Sequence, residues 1–206
     1  KNLYKLVSMS HLEYYYRRPR IPKSLLAQYR EGLIIGSGCE AGEVYQAVMQ
    51  NQPEEEISNI VDFYDYLEIQ PIGNNRHLIR SGQVSDDEGL REINSRIVML
   101  GKKHNKRVVA TGDVHFLDPH DEYFRRILMS GQKYENADYQ APLYFKTTDE
   151  MLEEFSYLGK ETAQQVVIEA PRSITDEIEK IQPIPDELHA PEIPGAENEI
   201  RSMAMK

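Results

Sequence analysis

Asp113 and His115 stand two residues apart, just past the apolar run Val108-Val109-Ala110. In extended backbone, rising about 3.3 Å per residue, positions two apart point to the same side, so a carboxylate and an imidazole at this spacing can converge on one cation. The same two residues also fit a plainer role, with Asp113 capping the next helix and His115 an ordinary loop histidine. A second set lies in Gly36-Ser37-Gly38-Cys39-Glu40-Ala41-Gly42-Glu43. Cys39 there is either a metal-ligating thiolate, stabilised by a cation or a helix N-terminus, or a buried small apolar residue. These glycines do not make a phosphate loop, whose spacing and Lys-Ser/Thr ending are absent. The third set, Tyr14-Tyr15-Tyr16-Arg17-Arg18-Pro19-Arg20-Ile21-Pro22, is basic and aromatic and could stack on bases or hold phosphate. Alternatively its tyrosines cover the core edge and Arg17, Arg18 and Arg20 pair with the protein's own carboxylates. His11, just before this segment, is equally ambiguous.

The elements that must position these residues follow from periodicity. Leu3, Leu6 and Val7 predict a helix over Asn2 to Met9, and Pro22 to Gly32 a short helix stopped by glycine. Leu33-Ile34-Ile35 reads as a buried strand, Val44 to Gln50 and Pro53 to Phe63 as helices, and Tyr66 to Pro71 as a strand. A long helix begins at Asp86, with Ser85 and Glu88 at capping-box spacing and Leu90, Ile93, Ile97 and Leu100 on one face. It delivers the chain to Val108. Alternating helix and strand argue for parallel α/β layering, in which sites collect at the C-terminal ends of strands. Cys39 and the Asp113/His115 pair both fall there. Beyond Pro119 the strand signals stop. Helices are expected over Asp121 to Gly131, with Phe124, Ile127 and Leu128 apolar, then from the Thr147/Glu150 capping box to Gly159. Another is expected from Ala163 to Pro171, and a last one on Ile174, Ile178 and Ile181 to Pro183. Pro183 to Gly195 reads as a proline-punctuated connector. There is no internal repeat.

Composition narrows the function. Asp and Glu outnumber Lys and Arg by 34 to 24, a formal net charge of −10, so any nucleic-acid contact must be local. One cysteine excludes an intrachain disulfide and suits a reducing compartment. No apolar run reaches about 18 residues and nothing resembles a signal peptide, so a cytoplasmic location and no membrane partner are expected. The chain also starts inside what reads as a helix in progress, the mark of a fragment.

Asn2-Leu3-Tyr4-Lys5-Leu6-Val7-Ser8, Ser10-His11-Leu12-Glu13 with Arg18-Pro19-Arg20-Ile21, Gly36 to Glu43, and Ala110-Thr111-Gly112-Asp113-Val114-His115 form ordered blocks. In that order they resemble the bacterial DNA polymerase III alpha subunit of the PolC type, the replicative polymerase of low-GC Gram-positive bacteria. The resemblance implies a partial distorted β/α barrel, the later portion of the polymerase-and-histidinol-phosphatase (PHP) domain, over residues 1–120. A helical annex over 121–182 and a linker toward the polymerase palm over 183–206 would follow it. It makes Cys39, Asp113 and His115 late ligands of a zinc or manganese cluster, with His11 and Glu40 as outer supports. The early His-x-His ligands, a mid-domain Glu and a further His would lie before Lys1, with the 3′–5′ exonuclease inserted in the PHP domain of the parent. The palm's magnesium ligands would lie beyond Lys206. Expected partners are the rest of the polymerase chain and, through it, template-primer DNA and the sliding clamp; no catalytic residue is assigned to the fragment, which alone should be inactive. Two other readings compete: a PHP site that is itself a metal-dependent phosphoesterase or nuclease, and a stand-alone histidinol-phosphatase-like enzyme, against which the annex and connector speak.

Overall fold

The computed structural model describes residues 1–184, 186–187 and 192–205. They form two compact units, Lys1–Thr175 and Asp176–Lys206.

The first unit opens with helices α1 (Asn2–Leu12) and α2 (Lys23–Gln28), then α3 (Glu43–Met49) and α4 (Glu54–Asp62). Strand β1 (Tyr66–Ile69), helices α5 (His77–Arg80) and α6 (Asp87–Lys103) and strand β2 (Arg107–Ala110) follow. β1 and β2 are parallel neighbours, with Glu68 opposite Val109 and Ile69 opposite Ala110. The crossover through α6 is what parallel pairing demands, because a hairpin cannot return a strand in the same direction. Leu67 and Ile69 of β1 and Val108 and Val109 of β2 are buried.

Leu33-Ile34-Ile35 is extended but forms no ladder. It meets β1 through one parallel bridge, Gly36 to Tyr66, flanked by amide donation from Asp65 to the Ile35 carbonyl at 2.8 Å and from Ser37 to the Tyr66 carbonyl at 3.1 Å. Pairing stops there because Gly38, at φ +74°, turns the chain away. The close approach itself requires glycine: a Cβ on Gly36 would lie 2.3 Å from the Tyr66 ring.

α6 carries the core. Its cap is Asp86, not the Ser85 of the expected box: the Asp86 carboxylate accepts from the Gly89 amide at 2.9 Å, one residue further on. Leu90, Ile93, Ile97 and Leu100 are buried as expected, in one cluster with Val44, Val48, Ile57, Val61, Leu67 and Ile69. Gly101 lets β2 close onto the helix, since a Cβ there would sit 2.3 Å from a Val108 methyl.

After β2 come α7 (Glu122–Gly131), α8 (Thr148–Glu154), α9 (Lys160–Gln164) and α10 (Ala170–Glu177). The Thr147/Glu150 capping box forms, and Met151 and Phe155 complete the core. Pro171 does not end a helix. It is the second residue of α10, directly after a π-helical stretch, Gln165–Glu169, whose wider turn accommodates a residue lacking an N–H. α10 then stops at Glu177, so Ile178 and Ile181 lie outside it and are exposed. α7 forms where expected, yet none of its residues is buried.

In the second unit, α11 (Ala196–Ala204) starts after Gly195 at φ +88°, where the sequence reading placed no helix. Of the expected proline connector, Pro185 and Pro191 lie outside the described residues.

Candidate functional site

Parallel pairing gathers three loops at the C-terminal strand ends: Ser37 to Glu40, Gln70 to Asn75, and Thr111 to His115. Thr111 is held by its amide on the Ile69 carbonyl at 3.0 Å, which extends the register one residue past β2. The chain then enters the left-handed region at Asp113, φ +51°, unusual for a residue with a Cβ and a turn that only the surrounding bonds can hold. Two of those bonds are evident. The Asn74 amide nitrogen donates to the Gly112 carbonyl at 3.1 Å, and the His115 amide donates to the Leu143 carbonyl at 2.8 Å.

The His115 Nδ1 lies 2.7 Å from the Asp113 carbonyl, which can only accept, so Nδ1 carries a hydrogen and Nε2 is the ring nitrogen turned away from that bond. The Asp113 carboxylate is 3.8 Å from the same ring nitrogen, and both side chains are part exposed. The two residues picked out by spacing are thus together at one edge.

Glu68, a half-buried carboxylate that no spacing motif marks, also lies at this edge. Its amide donates to the Ser37 hydroxyl at 3.0 Å, and its carboxylate accepts from the Thr111 hydroxyl at 2.7 Å. Burial pushes its pKa up against the pull of the Thr111 bond, and the charges of Asp113 and Glu40 push it further the same way. Glu68 therefore senses both of the sets that sequence spacing had identified separately. A legible signal existed, a lone carboxylate inside the buried strand Tyr66-Leu67-Glu68-Ile69, where Glu is disfavoured.

Cys39 is a half-buried free thiol. Burial raises its pKa, and the neighbouring Glu40 carboxyl adds to that, which favours the thiol over the thiolate. The Glu40 carboxylate lies 3.8 Å from His77 Nε2, a histidine that spacing alone did not single out. Cys39 goes with Glu40, and Asp113 goes with His115. Among the described residues no three His, Cys, Asp or Glu side chains are grouped to hold one ion. Carboxylate, imidazole and thiol are the donor types that zinc and manganese take.

His11 sits apart from these donors' contacts. Its Nδ1 lies 2.9 Å from the Val7 carbonyl and 3.2 Å from the Ser10 hydroxyl, and its ring faces Tyr15 at 6.4 Å. The basic aromatic segment differs from the core-edge expectation. Tyr14, Tyr15 and Tyr16 are exposed, and Arg17, Arg18 and Arg20 have no carboxylate partner among the described residues. Instead Arg17 and Arg20 lie 5.5 Å and 5.1 Å from the Tyr16 ring centre, with Arg17 at φ +61° in a tight turn.

Residues 1–71 match the PHP domain family, a stretch that includes Cys39, Glu40 and Glu68. Over its whole length the chain is similar to proteins named DNA polymerase III PolC-type. The one from Clostridium perfringens is 60% identical over 205 residues, 100% of this chain and 14% of that protein. That from Caldanaerobacter subterraneus subsp. tengcongensis is 56% identical, covering 100% of this chain and 15% of its own length. The Bacillus subtilis protein is 49% identical over 99% of this chain and 14% of its length. The chain thus spans about one seventh of these relatives. No helix among the described residues is long and apolar enough to cross a membrane.

Proposed function

We propose that the chain is the PHP portion of a PolC-type replicative DNA polymerase, and that its strand-end edge is a metal-bearing scaffold beside the polymerase core. The observation that carries this is similarity across the full chain, up to 60% identity, to PolC-type relatives, together with the PHP match. In this reading residues 1–120 are the later part of a distorted β/α barrel, 121–182 a helical annex and 183–206 a linker toward the palm. Nucleotide transfer, proofreading, template-primer binding and clamp contact belong to the parent in the cytoplasm. Its palm magnesium ions would be held outside this chain.

Asp113, through its carboxylate, and His115, through Nε2, would hold a divalent cation at the edge, zinc or manganese. Cys39 would join as a thiolate once a cation lowers its pKa, and Glu40 and Glu68 would supply negative charge behind them. A bound ion there supplies charge neutralisation for carboxylates that otherwise repel, which couples metal binding to folding.

His115→Ala in the full-length parent tests the scaffold. Melting temperature and polymerisation are expected to fall together, because removing a ligand removes binding energy that stabilises the fold. Unchanged melting and intact polymerisation, with loss of phosphoester hydrolysis measured after the palm carboxylates are disabled, would make the edge a phosphoesterase instead.

A further inference from the structure

Next to the strand-end edge, a cleft of about 740 Å³ opens between the segment 73–83 and the loop 136–143, with α7 contributing Arg125 and Met129. Its lining contains Arg76, His77, Arg80 and Arg125 and no aspartate or glutamate, in a chain whose net charge is −10. That segregation is local and specific. Arg76 is already spent on Asp87, which it meets through two bonds at 3.0 and 2.6 Å. Arg80 and Arg125 have no carboxylate partner among the described residues: Arg125 bonds the neutral Gln140 amide, and Arg80 lies 5.2 Å from the Tyr139 ring centre. Two guanidinium groups thus line a partly enclosed space without a counter-charge.

The rest of the lining says which anion fits. The volume lies within the range of small-molecule sites, roughly 300–1,000 Å³, and is far more than a bare phosphate fills. Tyr139 is 61% exposed and stands beside Arg80, the pairing of ring and guanidinium on which a nucleobase stacks. Asn74 is only 7% exposed, gives its amide hydrogen to Gly112, and is left with an Oδ1 that has no partner. A buried acceptor of this kind wants an N–H or O–H from a ligand. An acidic peptide would use the arginines and leave both the ring and Asn74 unanswered.

We propose that this cleft is a nucleotide site. Arg80 and Arg125 hold a phosphate through their planar donor forks, the base lies against Tyr139, and Asn74 accepts from the base edge or the sugar hydroxyl. The nucleotide is either free or a unit of a single DNA strand. The site stands on residues of this chain and does not depend on the polymerase reading.

The full chain, titrated calorimetrically with inorganic phosphate, dAMP and a 5′-phosphorylated single-stranded oligothymidylate, tests this. dAMP or the oligonucleotide should bind about tenfold or more tighter than phosphate, and whichever is tighter identifies the source. Arg80→Gln with Arg125→Gln should weaken that binding about tenfold, while Arg126→Gln, which removes a guanidinium paired with Glu122 and outside the cleft lining, should not. Tyr139→Leu should bring dAMP down to the affinity of phosphate. Thermal melting checks each variant's fold, and Arg80→Lys, which keeps the charge and loses the fork, serves if the double variant unfolds, with a loss of about threefold expected. Phosphate binding as tightly as dAMP, no binding of either nucleotide probe, or binding indifferent to the arginine substitutions would overturn the proposal.

Discussion

α6 and α7 are both amphipathic, and they meet opposite fates. α6 presents Leu90, Ile93, Ile97 and Leu100 to a cluster drawn from α3, α4, β1 and β2, and Ile97 is completely buried. α7 carries Phe124, Ile127 and Leu128 at the same kind of spacing, yet they are 60%, 53% and 67% exposed. Leu117, shortly before it, is exposed as well. An apolar stripe records that a face is suited to burial; it does not say which surface covers it. Around α6 the covering surfaces are local neighbours reached through parallel pairing. Around α7 no surface of the described residues covers the face.

The largest expected effect sharpens that contrast. Ile97→Ala removes fully buried methylenes and leaves a cavity among α3, α4 and the strands, which costs ~2–5 kcal/mol in denaturant unfolding of the chain. Leu128→Ala, on an exposed face, should stay within about 0.5 kcal/mol. Equal losses would mean that α7 is packed in solution and that the comparison is mistaken.

Next in size is the exposed face itself. Ile127→Ser with Leu128→Ser should reduce binding of an apolar dye such as ANS without shifting the melting temperature, because surface is made polar and no core is opened. Undiminished dye binding would move the exposed apolar surface elsewhere, to the Tyr14-Tyr15-Tyr16 turn or to Tyr139 of the cleft.

Helix caps probe the same difference from the ends. Asp86→Ala strips the first turn of α6 of its side-chain acceptor and should cost about 1 kcal/mol. In α7 the first residue follows a short 3₁₀ turn, Pro119–Asp121, where Asp118 and Asp121 make the capping box. Asp118→Ala should cost less, since the helix it starts contributes no buried side chain. A larger loss for Asp118 than for Asp86 would show that α7 anchors the fold.

Legibility in the sequence divides along the same line. Where packing is local, pattern sufficed: the stripe of α6, the apolar strands and the Thr147/Glu150 box are read directly from spacing. Asp113 and His115 were legible as donor types close in sequence, but the extended geometry expected of them is absent: Asp113 turns left-handed at φ +51° past the end of β2, and that turn sets where the two side chains lie. Glu68, His77 and Asn74 were not, because each joins the edge through contacts 37 to 43 residues away in sequence. The Pro171 break failed since a preceding π turn, invisible to composition, absorbs the proline. The exposure of α7 was unreadable in principle, as amphipathicity is blind to the partner.

The smallest effect is electrostatic and again belongs to α6. Arg76 grips Asp87 in the first turn of α6 through two bonds, tying the helix to the segment that bears Asn74 and His77. α7 has instead the Glu122–Arg126 pair, which joins the helix only to itself. The guanidinium bond holds the Asp87 carboxyl below its ordinary value of 3.8. A carboxyl depressed in the folded state stabilises that state above the unfolded value, and the contribution fades as pH falls below 3.8 and through the folded value. Both side chains are more than a third exposed, so screening leaves about 0.5 kcal/mol or less. Asp87→Asn should therefore lower unfolding free energy slightly at pH 7 and leave it unchanged at pH well below the depressed folded-state pKa, where the native Asp87 is itself protonated. Raising salt at pH 7 should shrink the difference. A difference that persists at the acid end would assign the loss to the geometry of the α6 first turn, with the ion pair contributing nothing.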